Sequence, residues 1–237
     1  MGVGAVLIEQ KILIDLKKIG TSSPYHWIDY YISDWYQRGW GGEEKKNQAV
    51  KWSERAAHKG NTSAMYNLGN YYSYGELGVT QSCTKANELY ALAADKGHSI
   101  ARLNLGQSYR IGRGDLAIDF NRCVELWTQS AKQGVVFAQT ALAEMYSTGW
   151  DSPPPPSSYY TAPIPANPQL AFRWHLAAAK QGCMPSMLIL GNLYFVGDGV
   201  ERNLESALEW YLKTVDMDMG MGAYSSNNAL FTSSYIM

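Results

Sequence analysis

The sequence predicts an all-α fold, a right-handed α/α superhelical solenoid of about five helix-turn-helix repeats. Two observations carry the prediction. A 12-residue pattern recurs four times at a nearly fixed spacing, as AMYNLGNYYSYG from Ala64, ARLNLGQSYRIG from Ala101, AQTALAEMYSTG from Ala138 and SMLILGNLYFVG from Ser186. Each copy is followed by a second run of helical periodicity that closes on glycine. With 46% hydrophobic residues in 237, the chain also has ample material for the core of such an array.

Residues 1–23 read as an amphipathic capping helix. The stretch MGVGAVLIEQKILIDLKK lacks a basic lead, and Glu9 and Lys11 break its apolar run, so it is a poor signal peptide. Val6 stands where N-myristoylation after Gly2 would need a hydroxyl residue. No stretch is long and apolar enough to span a bilayer.

The solenoid occupies residues 24–215. Its first copy is degenerate and visible as Tyr36-Gln37-Arg38-Gly39-Trp40-Gly41, which places a tyrosine and two glycines as Tyr109 to Gly114 do. The next steps are 37, 37 and 48 residues. The additional 11 come from the Pro-rich segment SPPPPSSYYTAPIPANP, an insertion at 152–168 in the turn of the fourth unit, where extra length leaves the stack intact. Pro153–Pro156 and Pro165–Pro168 each satisfy a loose P-x-x-P pattern without a basic flank.

The second helices are AVKWSERAAHKG, ANELYALAADKG, CVELWTQSAKQG and AFRWHLAAAKQG, closing at Gly60, Gly97, Gly134 and Gly182. A fifth, ALEWYLKTVDMD, has Asp218 where glycine would stand. Residues 216–237 form a tail without charge after Asp218, for which packing, disorder and self-association all stay open.

Within the unit, Ala64, Ala101, Ala138, Gly69, Gly106 and Gly191 are small where helices must approach, with Ala143 in the glycine column. Leu68, Leu105, Leu142 and Leu190 fill the space between helices. Tyr72, Tyr109, Tyr146 and Tyr194, and the aromatics Trp52, Tyr90, Trp127, Trp174 and Trp210, supply larger packing surfaces.

Charge and chemistry narrow the function. Twenty Lys and Arg against 21 Asp and Glu leave a net charge of −1, without the basic footprint of a nucleic-acid or anionic-membrane binder. Cys83, Cys123 and Cys183 are odd in number and unpaired in spacing, against a disulfide framework or zinc site and in favour of a reducing, cytoplasmic location. Cys123 holds the position of Ala49, Ala86, Ala171 and Ala207 and reads as a buried small residue, whereas Cys83 and Cys183 sit near turns without an adjacent base. His26, His58, His98 and His175 are scattered, and His58 and His98 flank inter-repeat glycines, where capping is the simpler role. The sequon Asn61-Thr62-Ser63 falls at a helix start and reads as an N-cap. No phosphate loop, nucleophile elbow or metal motif occurs, so catalytic residues, metal and cofactors are all read as none.

The pattern of a small residue, three others, Leu-Gly, two others and Tyr, then Gly-x-Gly-Val and a helix of Ala-x-x-Trp-Tyr type, resembles the Sel-one-like repeat (SLR) family. That family is related to the tetratricopeptide repeat. The runs ARLNLGQSYRIGRG and LGNLYFVGDGVERNLESALEWYLK match it best. A tetratricopeptide array is disfavoured by its 34-residue period and its tighter turn. The resemblance implies an adaptor or scaffold that binds proteins or peptides, as relatives do in quality control, chitin-synthase regulation, signalling and bacterial host interaction. This chain lacks the paired cysteines of the branch linked to β-lactam binding.

In related solenoids the first helix of each unit lines the concave side. Removing the packing positions leaves Asn67, Asn70, Arg102, Asn104, Gln107, Arg110, Gln139, Glu144 and Asn192 as the candidate partner-binding face. Their amides suit a peptide backbone and their arginines a carboxylate. A regulatory subunit of an enzyme complex is the alternative to an adaptor, and a small-molecule hydrolase the third reading. The expected partners are proteins or peptides, without nucleic acid or direct membrane insertion, and the oligomeric state is open.

Overall fold

The computed structural model describes residues 3–22, 24–39, 47–150 and 163–226, with side chains over 11–20, 24–39, 47–150 and 163–217. Among the described residues there are eleven α-helices: α1 (Val3–Ser22), α2 (His26–Gln37), α3 (Asn47–His58), α4 (Thr62–Tyr74), α5 (Cys83–Asp95), α6 (Ser99–Ile111), α7 (Phe120–Lys132), α8 (Val136–Thr148), α9 (Pro168–Lys180), α10 (Met184–Val196) and α11 (Leu204–Ser226). The chain forms two compact units that divide at residue 134. In the first, α1 packs on α2, α2 pairs with α3, α4 with α5 and α6 with α7, and α3 and α5 pack on the first helix that follows each. In the second, α8 pairs with α9 and α10 with α11, and α9 packs on α10.

Polar side chains and glycines set the helix limits where the sequence places them. Asn61 and His98 cap α4 and α6 by accepting the Ala64 and Ala101 amides at 2.8 and 3.1 Å. Ser82, Asp119, Asn167 and Asn203 do the same for the second helices α5, α7, α9 and α11. The first helices α4, α6 and α10 end at Gly75, Gly112 and Gly197 in the left-handed conformation. Between repeats, Gly60, Gly97, Gly134 and Gly182 take φ of +93°, +94°, +87° and +87°. Asp218 lacks that freedom, and α11 runs past it to Ser226, so the start of the uncharged tail is helical backbone. Residues 227–237 and Trp40-Gly41 of the degenerate first copy lie outside the described residues.

The turn inside each of the last four repeats closes on one backbone bond. The carbonyls of Tyr72, Tyr109, Tyr146 and Tyr194 accept the amides of the four second-helix caps at 2.7–2.9 Å. The Pro-rich insertion leaves that closure intact. Trp150 and Ile164 pair as an antiparallel bridge across its base, and Asn167 N–H still reaches the Tyr146 carbonyl at 2.7 Å. The intervening 151–162, including Pro153–Pro156, lie outside the described residues.

Packing within the pairs centres on the glycine column, and the second-helix aromatics divide between two faces around it. A Cβ on Gly69 or Gly106 would stand 2.5 Å from the ring of Tyr90 or Trp127, and one on Gly191 would strike Tyr211. The residue that fills the glycine notch is therefore the fifth of the second-helix motif: Tyr90, Trp127 and Tyr211. Trp52, Trp174 and Trp210 precede this position by one residue and belong to another face, because one helical step rotates a side chain by about 100°. Where glycine is replaced, so is its partner: Ala143 accompanies the buried His175, and in the first repeat Ser33 accompanies Ser53, their hydroxyls 2.6 Å apart.

The first helix is held by a buried charge as well as by apolar contact. Leu13 joins the cluster of Ile28, Ile32, Tyr36, Ala49 and Trp52. Asp29 has no solvent exposure, and Lys59 Nζ lies 2.7 Å and Arg55 3.6 Å from its carboxylate oxygens. Arg55 also donates to the Gly20 carbonyl at 2.9 Å, tying the end of α1 to α3.

Candidate interaction surface

On each first helix one stripe of exposed and half-buried side chains runs at a spacing of four, three and four residues. In the first unit the stripe reads Trp27, Tyr31 and Asp34 on α2 with Arg38 at its C-cap, Ser63, Asn67, Asn70 and Tyr74 on α4, and Ile100, Asn104, Gln107 and Ile111 on α6. In the second it reads Phe137, Ala141, Glu144 and Thr148 on α8, and Pro185, Ile189, Asn192 and Val196 on α10. The sequence-derived candidates Asn67, Asn70, Asn104, Gln107, Glu144 and Asn192 all belong to it.

Several of these amides are already engaged. Asn70 Oδ1 accepts the Tyr90 hydroxyl at 2.7 Å and Asn104 Nδ2 at 3.4 Å, joining three helices. Asn192 Oδ1 likewise accepts the Tyr211 hydroxyl at 2.7 Å. In the third repeat tryptophan replaces the tyrosine, its indole N–H turns to the Leu103 carbonyl at 3.1 Å, and Gln107 is left to accept from Arg110 at 3.0 Å. An asparagine carboxamide committed through its oxygen keeps its N–H donors for a partner.

Arg102 and Gln139 fall elsewhere. Both stand one residue after the small first position and point to the flank between paired helices. Gln139 is buried and accepts from Gln181 at 2.8 Å. Arg102 donates to Gln133 at 2.7 Å when that amide is oriented to satisfy both neighbours. They tie the two helices of a repeat together, which removes Gln139 from the accessible face.

The ends of the stripe were not anticipated from sequence. Trp27 is 48% exposed, Tyr31 52% and Tyr74 63%, and Ile100, Ile111, Phe137 and Val196 are also large apolar side chains in water. Tyr25, Trp27 and Tyr31 touch ring to ring, with centroids 6.4 and 6.3 Å apart. Each amide row is thus bordered by apolar or aromatic side chains. The signal existed in the sequence as the residue before each small first position and the residue at the end of each first helix.

Other candidates for chemistry resolve into structure. His98 caps α6 through Nδ1 and stacks on Tyr66 at 4.8 Å. His175 lies buried, with Nδ1 3.4 Å from the Ser186 hydroxyl. Burial holds both imidazoles below their ordinary pKa. Burial likewise pushes the Cys123 thiol up to about 12, as suits a small core residue. Asn61 is 8% exposed, and its Nδ2 lies 3.0 Å from His26 Nδ1, so the sequon nitrogen is occupied in the fold.

A cavity of about 300 Å³ between α3, α4 and α5 has an apolar floor of Met65, Leu68, Leu89 and Leu92. Glu54, His58 and Glu88 also line it, together with Lys85, whose Nζ lies over the Tyr72 ring at 5.2 Å. The lining contains no Ser, Thr or Cys. Among the described residues no cluster of His, Cys, Asp and Glu could hold a metal ion, and no helix is long and apolar enough to cross a membrane.

The Sel1 repeat matches five times, at residues 30–61, 62–98, 99–135, 136–183 and 185–219, with the insertion inside the fourth match. The chain belongs to the Sel1 repeat family. The same fold occurs in c5321, a protective antigen of uropathogenic Escherichia coli strains with an SLR fold, at 31% identity and a TM-score of 0.72. That match covers 86% of this chain and 41% of c5321, so the chain spans under half the length of that relative. A Sel1 repeat protein from Oxalobacter formigenes is 25% identical, with a TM-score of 0.69 over 88% of this chain and 80% of that one. The positions that recur between the repeats of this chain explain its packing, and the first-helix stripe varies more from repeat to repeat.

Proposed function

We propose that this Sel1 repeat protein is an adaptor without catalysis of its own, holding a partner protein or peptide along the solvent face of its first helices. One observation carries the reading: amide rows bordered by exposed large apolar and aromatic side chains. Folded surfaces place such residues singly, whereas binding surfaces cluster aromatic anchors beside polar groups that fix orientation. In the first unit an extended segment would give its backbone groups to Asn67 and Asn104 and its apolar side chains to Trp27, Tyr31 or Tyr74. The odd set of three unpaired cysteines supports a reducing, cytoplasmic setting for that encounter.

The test begins with crosslinked partner capture from native extract and mass spectrometry, followed by affinity measurements on purified partner. Asn67→Ala with Asn104→Ala, and separately Trp27→Ala with Tyr74→Ala, should each weaken the complex at least fivefold. The Trp27 and Tyr74 variant should lose little of its melting temperature, since neither side chain belongs to the buried core. Undiminished affinity in both double variants would place the partner on another face.

A further inference from the structure

The first-helix face of the first unit is continuous across three helices. Tyr71 on α4 donates its hydroxyl to Gln37 Oε1 on α2 at 3.0 Å, and Asn104 on α6 reaches Asn70 on α4 at 3.4 Å. At the α2 edge aromatic rings touch in series: centroids lie 6.4 Å apart for Tyr25 and Trp27, 6.3 Å for Trp27 and Tyr31, and 5.9 Å for Tyr31 and Tyr30. Tyr74 stands exposed at the C-terminal end of α4.

The polar groups between these rings are biased toward donation. Asn70 commits its carboxamide oxygen to the Tyr90 hydroxyl and the Asn104 N–H, and Gln107 commits its oxygen to Arg110. Asn104 gives one N–H to the Asn70 and Tyr90 pair, so Asn67, Asn70, Asn104 and Gln107 together keep most of their N–H groups and only the oxygens of Asn67 and Asn104. Trp27 adds an indole N–H, a donor that cannot accept. Charge on the face is small and internally matched. Asp34 pairs with Arg38 at 2.8 Å, α4 carries no charged residue, and on α6 Arg110 turns to Gln107 and Arg102 to Gln133. Glu76 follows in the turn past Gly75.

A ligand that fits this face brings acceptors, few donors, little charge and apolar surface for the rings. A sugar brings a hydroxyl hydrogen with most of its oxygens, and an ordinary extended peptide brings one N–H for each carbonyl. Proline keeps the carbonyl and lacks the N–H. A proline-rich segment in the polyproline II conformation also leaves its carbonyls without internal partners, turns every third residue to one side about 9 Å apart, and docks on aromatic surfaces with little loss of entropy.

We infer that the first-unit face binds an uncharged proline-rich segment of another protein, with prolines on the exposed rings of the Trp27 and Tyr31 cluster and carbonyls accepting from Asn67, Asn70 and Asn104. The oxygens left on Asn67 and Asn104 serve the residues between prolines, which still carry N–H groups. The inference rests on the adaptor reading and names the class of segment held.

The probe is labelled decaproline, titrated against the full chain by fluorescence anisotropy. The controls are an uncharged, proline-free peptide of equal length made of valine, serine and glutamine, and cellohexaose as a competing neutral sugar. Decaproline should bind about tenfold more tightly than the proline-free peptide, and cellohexaose should not displace it. Trp27→Ala with Tyr31→Ala should weaken decaproline about tenfold, whereas Tyr31→Phe, which keeps the ring, should not. Asn67→Asp keeps the shape of the side chain and exchanges donors for acceptors, so it should weaken decaproline about fivefold and the proline-free peptide less. Thermal denaturation checks that each variant is folded. Equal affinity for the two peptides, or displacement by the sugar, would overturn the choice of ligand. A captured partner that still responded to Asn67→Ala with Asn104→Ala would then leave the adaptor reading standing. A rise in decaproline affinity when Pro153–Pro156 are replaced by serines would also overturn the inference, because the face would then belong to the chain's own segment.

Discussion

Replacing Gly106 by alanine tests whether the glycine notch organises the repeat. At an unconstrained position inside a helix, glycine to alanine stabilises by about 1 kcal/mol through backbone entropy. At Gly106 the new Cβ would lie 2.5 Å from Trp127 Cδ1 and 2.7 Å from its Nε1, against an ordinary carbon contact near 3.5–4.0 Å. The indole cannot swing away freely, since Trp127 is 4% exposed and its N–H is committed to the Leu103 carbonyl. The two helices must separate by roughly 1 Å or the ring must leave its rotamer, which costs about 1–3 kcal/mol, and about 1 kcal/mol more if the indole bond is lost. Subtracting the propensity gain leaves a destabilisation of about 0–2 kcal/mol, or about 1–3 kcal/mol where the indole bond is lost. The assay is urea denaturation of Gly106→Ala, of Trp127→His and of the double variant. The double variant copies the Ala143 and His175 pair of the fourth repeat and should show positive coupling, with Gly106→Ala costing less in the Trp127→His background. A more stable Gly106→Ala chain would refute the notch, because the sign itself separates a spatial constraint from simple helix propensity.

The remaining predictions follow from other contacts. Leu105→Ala should cost about 2–5 kcal/mol through a cavity in the cluster that includes Ala101, Tyr90 and Leu126, and an unchanged denaturation midpoint would remove Leu105 from the core. His98 caps α6 only while Nδ1 is unprotonated, and burial lowers its folded pKa below the ordinary 6.5, so its contribution is present above that value and fades as pH falls through the lower folded value. His98→Asn, which keeps a capping acceptor, should therefore lose less stability than the parent between pH 7.5 and pH 5. Equal losses would assign the pH dependence to other groups. Lys59→Met should destabilise by about 3 kcal/mol by leaving Asp29 buried with only Arg55 at 3.6 Å, whereas Asp29→Leu with Lys59→Met should restore most of it, as seen by thermal denaturation.

Much of this fold is legible because its signals are local. Asn61, Asp119 and Asn167 cap helices with side chains three residues from their targets, and Gly60, Gly97, Gly134 and Gly182 stop helices by a property of one residue. The Pro-rich excursion is legible for a similar reason: the bond from the Asn167 amide to the Tyr146 carbonyl depends on the helix start, and the length of chain between them is immaterial to it. Residue type alone does not give the register of the second-helix aromatics. Trp52, Trp174 and Trp210 look equivalent to Tyr90 and Trp127, yet only the residue one place later meets the glycine. Register would have been recoverable by asking which position changes when glycine does, since Ala143 and Ser33 occur with His175 and Ser53.

The candidate site was half legible for a deeper reason. Subtracting core positions finds polar residues on a helix but cannot separate those that face solvent from those that tie one helix to its mate. Arg102 and Gln139 share a column whose side chains reach Gln133 and Gln181, contacts about 30 and 40 residues apart in sequence. The same subtraction discards Trp27, Tyr74, Ile100 and Phe137, because an apolar residue on a helix is assigned to the core by type. In a repeat array that assignment is least secure at the stripe margins and on the final helix. There the same residue types that are partly buried elsewhere stand exposed, as Leu212 on α11 does beside Leu176 on α9. Specificity in this chain is therefore sought at the margins of the first-helix stripe, where large apolar side chains stand exposed.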